Sequence, residues 1–235
     1  MYRSILPTIS PNRYMPDIAQ VLNGNLTPTW EVTPSVGRTM EFAFTVRDNE
    51  LNGAQTADDL MEVVVSGSAG PFEVTSQNSP QNWVAGTAQT ITWNVAGTTS
   101  GSVNTQAVDI FLSLDGGFTY PITLATNVPN DGSQSVNIPG NSATSSARIM
   151  VRGHNNIFYA LNGANIVIAP GDFYLDFDNL SVTTCFPDDA VYSFTYNPIN
   201  GFSQSTNFSV NGLPTGVTAT FNPTSANATT NISLT

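Results

Sequence analysis

Residues 90–95, TITWNV, and residues 107–113, AVDIFLS, place an apolar side chain at every second position. Successive side chains of a β-strand point to opposite faces, so this alternation predicts strands with one buried face. The same period recurs in EFAFTVR (41–47), ARIMVR (147–152), AVYSFTY (190–196) and VTATF (217–221). Short strands separated by turns favour a sandwich or barrel.

Turn residues punctuate these strands, whereas helical signals are almost absent. Asn-Gly pairs, which suit tight turns, begin at Asn23, Asn52, Asn162, Asn200 and Asn211. The single helical candidate is PDIAQVLNG, in which Asp17 lies near the helix start and Gly24 near its end. The sequence therefore predicts an all-β fold with one short helix.

The composition excludes several classes of partner. The 235 residues carry 17 acidic and 6 basic side chains, for a net charge of −11. Binding to nucleic acid or to an anionic membrane surface relies on basic residues, so neither is expected. No stretch reaches the roughly 20 apolar residues of a membrane span, so membrane insertion is not expected. Because 40% of the residues are hydrophobic, a folded protein is favoured over disorder.

Two linkers of small residues divide the chain. SGSAGPF (66–72) follows one predicted strand, and APGD (169–172) follows another. The divisions predict a partial β-sandwich at 1–67, a complete immunoglobulin-like sandwich at 70–169 and a partial one at 172–235. The outer two are short against the roughly 100 residues of a complete sandwich of this kind.

Several strings resemble known secreted proteins. RYMPDIAQVLNGNLTPTWEVTPSVGRTMEFAFTVRDN, DDLMEVVVSGSAGPFEVTSQN, PITLATNVPNDGSQSVNIP and ARIMVRGHNNIFYALN resemble the region that follows the catalytic domain in secreted bacterial reprolysin-like zinc metallopeptidases, many of them type IX secretion cargo. NWVAGTAQTITWNVAGT with VDIFLSLDGG is similar to the immunoglobulin-like module of Ser/Thr-rich cell-wall and surface proteins. NGLPTGVTATFNP is similar to bacterial immunoglobulin-like repeats.

The resemblance implies a metallopeptidase parent, but this chain lacks the residues of a zinc peptidase. Such a site needs histidines in H-E-x-x-H spacing, and His154 is the only histidine present. His154 lies in the turn-like string RGHNN, where a solvated surface histidine is expected. The chain is therefore predicted not to be an enzyme.

A first acidic group suggests a calcium site between two predicted strands. VRDNELNGAQTADDL carries Asp48, Asn49, Glu50, Asp58 and Asp59 at the two ends of one loop. Oxygen ligands of this kind are those that Ca²⁺ prefers, although the spacing does not match an EF-hand. An acidic, solvated loop is the alternative interpretation.

A second acidic group lies beside the linker at Gly171. Asp172, Asp176 and Asp178 occur in GDFYLDFDNL, and Asp176 and Asp178 are predicted to share one strand face. Neighbouring carboxylates on one face repel unless a cation or water separates them. Calcium at this junction is again one of two interpretations, and solvated surface is the other.

Other residues have a structural interpretation and an alternative. SLDGGFTY (113–120) fits the Asp-box pattern, read here as a turn in which the aspartate accepts backbone N–H groups. Trp83 and Trp93 are predicted to lie in the sandwich core, with Trp83 as a sugar platform the alternative. Cys185, the only cysteine, is either a buried thiol or half of a bridge to a partner or to residues beyond 235.

The function predicted from these features is structural and adhesive, in an extracellular or cell-surface protein. The modules would space, stabilise or anchor the parent protein, and their first partners would be its other modules. The alternatives are a binding module for a glycan or a surface or matrix protein, and a subunit of a surface filament.

Overall fold

The computed structural model describes residue 2 and residues 13–48, 50–51, 53–179, 181–185 and 188–235. Strands make up 42% of the chain and helix 2%, so the predicted all-β fold is confirmed. Helix α1 spans Ile18–Leu22, and Oδ1 of Asp17 accepts a hydrogen bond from Ala19 N at its start, as predicted. No described helix is long and apolar enough to cross a membrane.

The described strands form three groups in chain order. The first group is an antiparallel ribbon of β1 (Arg38–Arg47) and β2 (Thr56–Val65). The second group contains β3 (Glu73–Val74), β4 (Gln81–Val84), β5 (Ala88–Asn94), β6 (Ala107–Ser113), β7 (Ile122–Pro129), β8 (Ser133–Asn137), β9 (Thr144–Gly153), β10 (Tyr159–Leu161) and β11 (Ile166–Ala169). The third group contains β12 (Phe173–Phe177), β13 (Tyr192–Pro198), β14 (Thr206–Asn207), β15 (Phe221–Asn222), β16 (Ser225–Ala226) and β17 (Thr230–Leu234).

The second group, called the middle module below, is built from two sheets. One sheet has the order β4-β11-β9-β6-β7, with β10 paired to β9, and the other has the order β3-β5-β8. All of these pairs are antiparallel except β4 with β11, which run parallel from Gln81↔Ile166 to Val84↔Ala169.

The apolar core of the middle module draws on strands of both sheets. The alternating residues that predicted the strands are buried there, as expected: Ile91, Trp93, Val108, Ile110, Leu112, Ile149 and Val151. Each fully buried aliphatic side chain of this kind contributes about 1.5–3 kcal/mol. Trp83 and Trp93 are 5% and 4% exposed, which confirms their predicted core position and leaves no aromatic platform at Trp83.

The third group has one larger sheet, with the order β12-β13-β17-β15, and the two-residue pair β14–β16. The predicted strand 190–196 is observed as β13, with Phe194 and Tyr196 buried. The prediction of a strand over 217–221 is wrong before Phe221. Val217 N donates to Pro214 O at 3.1 Å and Gly216 has φ +86°, so a turn takes up the start of the predicted strand, whereas Thr220 exchanges backbone hydrogen bonds with Thr235 directly before β15.

The ribbon β1–β2 has the predicted strand but not the predicted burial. Its two strands pair in unbroken register from Arg38↔Val65 to Arg47↔Thr56, yet Phe44 is 71% and Val46 52% exposed. Alternation predicts which side chains share a face, whereas burial also needs a second layer over that face. Among the described residues, no other strand is hydrogen-bonded to the ribbon.

The sheet boundaries coincide with the two linkers in the sequence. β2 ends at Val65 and β3 begins at Glu73, while β11 ends at Ala169 and β12 begins at Phe173. Each described sheet lies within one of the predicted segments 1–67, 70–169 and 172–235. The division into one complete and two partial modules, and their immunoglobulin-like identity, stay predictions.

Replacing Asn130 with alanine tests a buried polar network that closes the core of the middle module. Asn130 accepts from Trp93 Nε1 at 2.8 Å and donates to Thr98 Oγ1 and to the Thr105 carbonyl oxygen. Asn130→Ala leaves the indole N–H and the carbonyl without these partners, so we expect about 2–3 kcal/mol less stability in urea unfolding. Asn137→Ala, at an exposed position of β8, is the control and should change stability little. Equal losses in the two variants would contradict the proposed importance of the network.

Candidate functional site

The junction between the middle module and the third group is closely fitted around one tyrosine. Tyr174, in β12, lies against a notch formed by Gly86 and Gly140 of the middle module. A β-carbon on Gly140 would lie 2.2 Å from Tyr174 Cδ1, and one on Gly86 would lie 2.9 Å from the Phe173 carbonyl oxygen. Only glycine leaves room for this contact, and we call these two residues the glycine notch.

The linker that crosses the junction is short and hydrogen-bonded on both sides. On the middle-module side, Ala85 N donates to the Ala169 carbonyl at 2.9 Å. On the other side, Asn200 Nδ2 donates to the Gly171 carbonyl at 2.9 Å, and Ile199 N donates to the Asp172 carbonyl at 2.9 Å. A β-carbon on Gly171 would lie 2.5 Å from the Ala85 carbonyl oxygen, so the linker also lies directly against the middle module.

The segment that precedes the ribbon also contacts the middle module. The rings of Tyr14 and Tyr159 meet edge to face, with centroids 5.2 Å apart, and the Leu22 side chain lies directly over Gly117. Burial raises the pKa of Tyr120 and of Tyr159 above the ordinary 10.0. The middle module is thus contacted by the chain on both sides of it.

A buried carboxylate, Asp109, lies at the centre of a polar network that links three strands of the larger middle sheet. Asp109 is 4% exposed and stands opposite Arg152 in the β6–β9 register. Its oxygens accept from Thr126 Oγ1 at 2.9 Å, Asn127 N at 3.0 Å and Arg152 Nη2 at 3.3 Å, and lie 2.9 Å from His154 Nδ1. The Arg152 guanidinium also lies 4.7 Å from the centroid of the Phe111 ring.

The environment of Asp109 favours its charged form. Burial acts to raise the pKa of the carboxyl group, but hydrogen bonds from Asn127, His154, Thr126 and Arg152 outweigh it and hold the pKa below the ordinary 3.8. His154 is therefore not the solvated surface histidine that its turn predicted, because it lies half-buried against Asp109. Its imidazole is part of this network.

The third group contains an open, mostly apolar cavity of about 390 Å³. The cavity is lined by Phe173, Leu175, Phe177, Phe194, Phe208, Val210, Phe221 and Leu234, with Thr206, Asn207 and Ser209 at its polar part. These rings pack edge-on or tilted, with centroids of Phe194 and Phe208 5.8 Å apart. Such a lining complements an apolar group better than a polar glycan.

The first predicted calcium group is spread over the ribbon. Oδ1 of Asp48 accepts from Glu50 N and Gln55 N, each at 3.1 Å, and so closes the hairpin loop. Asp58 stands opposite Thr45 and Asp59 opposite Phe44, on the two different faces of the ribbon. Asn49 lies outside the described residues.

The second predicted calcium group is exposed on the larger sheet of the third group of strands. Asp176 stands opposite Thr195 in β13, and Asp178 N donates to the Ser193 carbonyl at 3.0 Å just beyond β12. Asp172 lies in the linker. Within the described ranges, no three His, Cys, Asp or Glu side chains form a group that could hold a metal ion. Calcium at either group stays a prediction.

The Asp box has the local geometry that its sequence predicts. Asp115 accepts from Phe118 N and Thr119 N at 3.0 Å and from Thr119 Oγ1 at 2.6 Å, while Ser113 Oγ donates to it at 2.7 Å. Burial acts against the charged form, but these bonds lower the pKa of Asp115 to about 2. Cys185, by contrast, is exposed, so the prediction of a buried thiol is wrong.

Neither the notch nor the Asp109 network was found from the sequence. Gly86, Gly140 and Tyr174 are far apart along the chain, and glycine is common in every turn of this protein. A weak signal for Asp109 exists: it is an aspartate inside the apolar run AVDIFLS, where a charge needs a partner. The partners come from β7 and β9, which periodicity alone cannot pair with β6.

Replacing Asp109 with asparagine tests the buried network. Because the folded pKa lies below the ordinary 3.8, the stabilisation is complete above about pH 5 and is lost as the pH falls through the lower folded pKa. We expect the free energy of unfolding of Asp109→Asn to be about 1–3 kcal/mol lower than that of the unmodified chain at neutral pH. This difference from the unmodified chain should shrink as the pH approaches 3, in thermal or urea melts over that range.

The control for this prediction is Glu73→Gln, which removes an exposed carboxylate from the same module. It should change stability by about 0.5 kcal/mol or less. A loss for Asp109→Asn that persists unchanged in acid would mean that packing, and not the charge, accounts for it.

Neither a protein-family model nor a curated protein matches this chain. The resemblances to metallopeptidase-associated regions, Ser/Thr-rich surface modules and bacterial immunoglobulin-like repeats therefore stay predictions.

Proposed function

We propose that this chain is a non-catalytic, structural spacer of an extracellular or cell-surface protein. The middle module holds its neighbouring segments at fixed positions, and adhesion or anchoring is exercised by the protein as a whole. The observation that carries the proposal is the contact of Tyr174 with the glycine notch.

The first support is the fit of this contact. Modules joined by a flexible tether need no side-chain complementarity at their boundary, and their relative motion is the default. Here an aromatic ring lies where the β-carbon of any other residue at Gly140 would be. Close packing of this kind resists small displacements because a shift of a few tenths of an ångström produces a clash.

The second support is the linker. Only residues 170–172 separate β11 from β12, and the carbonyl groups of Ala169, Gly171 and Asp172 all accept hydrogen bonds. A linker whose backbone groups are already paired has few conformations left to it. The contact and the linker together favour a rigid spacer over a flexible tether.

The third support is that two polar residues that could serve in catalysis or metal binding have structural partners instead. His154 contacts Asp109, and Asp115 accepts hydrogen bonds within its own turn. The buried position of Trp83 gives no support to the alternative of a glycan-binding module. A metallopeptidase parent is part of the proposal, and it rests on the sequence resemblance alone.

The notch is tested with Gly140→Ala, Tyr174→Ala and the double variant. Gly140 has no positive φ, and the three atoms nearest to a β-carbon there all belong to the Tyr174 side chain, so the strain of an alanine comes first from this tyrosine. We expect Gly140→Ala to cost about 1–3 kcal/mol by overpacking, and to cost much less when Tyr174 is also alanine. Small-angle X-ray scattering should show a broader distance distribution for Tyr174→Ala than for the unmodified chain.

Gly163→Ala provides the matched control. Gly163 is also crowded, with a β-carbon 2.9 Å from Asn78 Oδ1, but this contact lies within the middle module. It should lower stability and leave the scattering curve unchanged. If Tyr174→Ala scatters like the unmodified chain, or if the costs of the two junction variants simply add, the rigid-spacer proposal fails.

A further inference from the structure

The ribbon β1–β2 has two chemically different faces. Cross-strand partners share a face, so the register assigns Arg38, Met40, Phe42, Phe44, Val46, Ala57, Asp59, Met61, Val63 and Val65 to one side. We call this side the apolar ribbon face. The opposite side, called the polar ribbon face, carries Thr39, Glu41, Ala43, Thr45, Arg47, Thr56, Asp58, Leu60, Glu62 and Val64.

Most of the apolar ribbon face is open to water. Phe44, Val46 and Met61 are 71%, 52% and 58% exposed. The Tyr2 ring stands on Phe42, with centroids 5.2 Å apart, and adds one more aromatic group to this surface. A two-stranded ribbon is at best marginally stable in water, so a layer that covers this face would stabilise it.

The charges on the apolar ribbon face are arranged to suit a second copy of the same face. Only Arg38 and Asp59 are charged there, and they have opposite signs. Asp59 is level with Phe44, six residues along β1 from Arg38, which is about 20 Å in a strand. Among the described residues neither forms an ion pair, and within one copy they are too far apart to do so.

We propose that the apolar ribbon face is a self-association surface whose occupant is the apolar ribbon face of a second copy of this chain. The two ribbons face each other in opposite directions about a two-fold axis near the level of residue 41. Arg38 of each copy then lies opposite Asp59 of the other copy, so both charges gain a partner. Phe42 and Met61 of the two copies lie between these pairs, and Phe44 of each copy lies beside the pair that its own Asp59 forms.

The size of the face predicts how tight this association is. About an axis at the level of residue 41, the two ribbons overlap only from the level of Arg38 to that of Phe44, seven residues per strand, which gives a surface of about 23 by 10 Å. The flat area, about 230 Å² per copy, is less than a third of the roughly 800 Å² per partner of a stable interface. We therefore expect a weak dimer, with a micromolar or weaker dissociation constant, which matters where copies are held close together. The inference goes beyond the spacer role and does not depend on it.

Sedimentation velocity of the full chain, from micromolar to millimolar concentration at physiological salt, tests the surface. The unmodified chain should show reversible, concentration-dependent dimers. Phe44→Ser should abolish them, whereas Leu60→Ser, at an equally exposed position on the polar ribbon face, should leave them intact. Far-UV circular dichroism confirms that the variants keep the strand content.

Charge reversal tests the arrangement of the two copies. Arg38→Asp and Asp59→Arg should each weaken the dimer about tenfold, because each puts like charges together in two symmetric places. The variant that carries both changes should dimerise like the unmodified chain. A chain that stays monomeric throughout, a dimer that survives Phe44→Ser, or a double variant that is no tighter than the single ones would overturn the proposal. A dimer lost on Arg47→Glu but insensitive to Asp59→Arg would do so too, since it would indicate pairing through the polar ribbon face.

Discussion

The apolar layer between the two sheets of the middle module holds the rest of the structure in place. A sheet with one apolar face must cover that face, and here strands of both sheets contribute, with Ile91 and Trp93 in β5 and Ile110 and Leu112 in β6. Because this layer is closed, its outer loops and edges have fixed positions. The glycine notch and the Asp109 network are both attached to strands or loops of this module, and each therefore presents a defined geometry to its partner.

The same constraint explains where the sequence predicted correctly and where it did not. TITWNV and EFAFTVR have the same period, and both form strands. Yet Ile91 is fully buried, whereas Phe44 is among the most exposed apolar side chains. A second sheet covers the strand of Ile91, and no described sheet covers the face of Phe44. Alternation is a local property, and burial is not.

The same difference between local and long-range contacts decides which features of the candidate site the sequence predicts. The Asp-box turn was predicted in detail since its donors and acceptor lie within a few residues of one another. The contact between Gly140 and Tyr174 could not be predicted from the sequence. It joins residues of two different groups of strands, and their relative position depends on tertiary packing. The prediction that His154 is solvent-exposed failed for the same reason. Its partner Asp109 lies on a different strand, so the string RGHNN contains no signal for that contact.

The parallel pairing of β4 with β11 has a mechanical consequence. β4 lies near the start of the middle module and β11 ends it, so a tension along the chain pulls these two neighbours in opposite directions. The hydrogen bonds between Gln81–Val84 and Ile166–Ala169 would then be loaded in shear. In shear the bonds share the force instead of opening one after another. A protein that stretches between a cell and a surface would resist extension best with its strands arranged in this way.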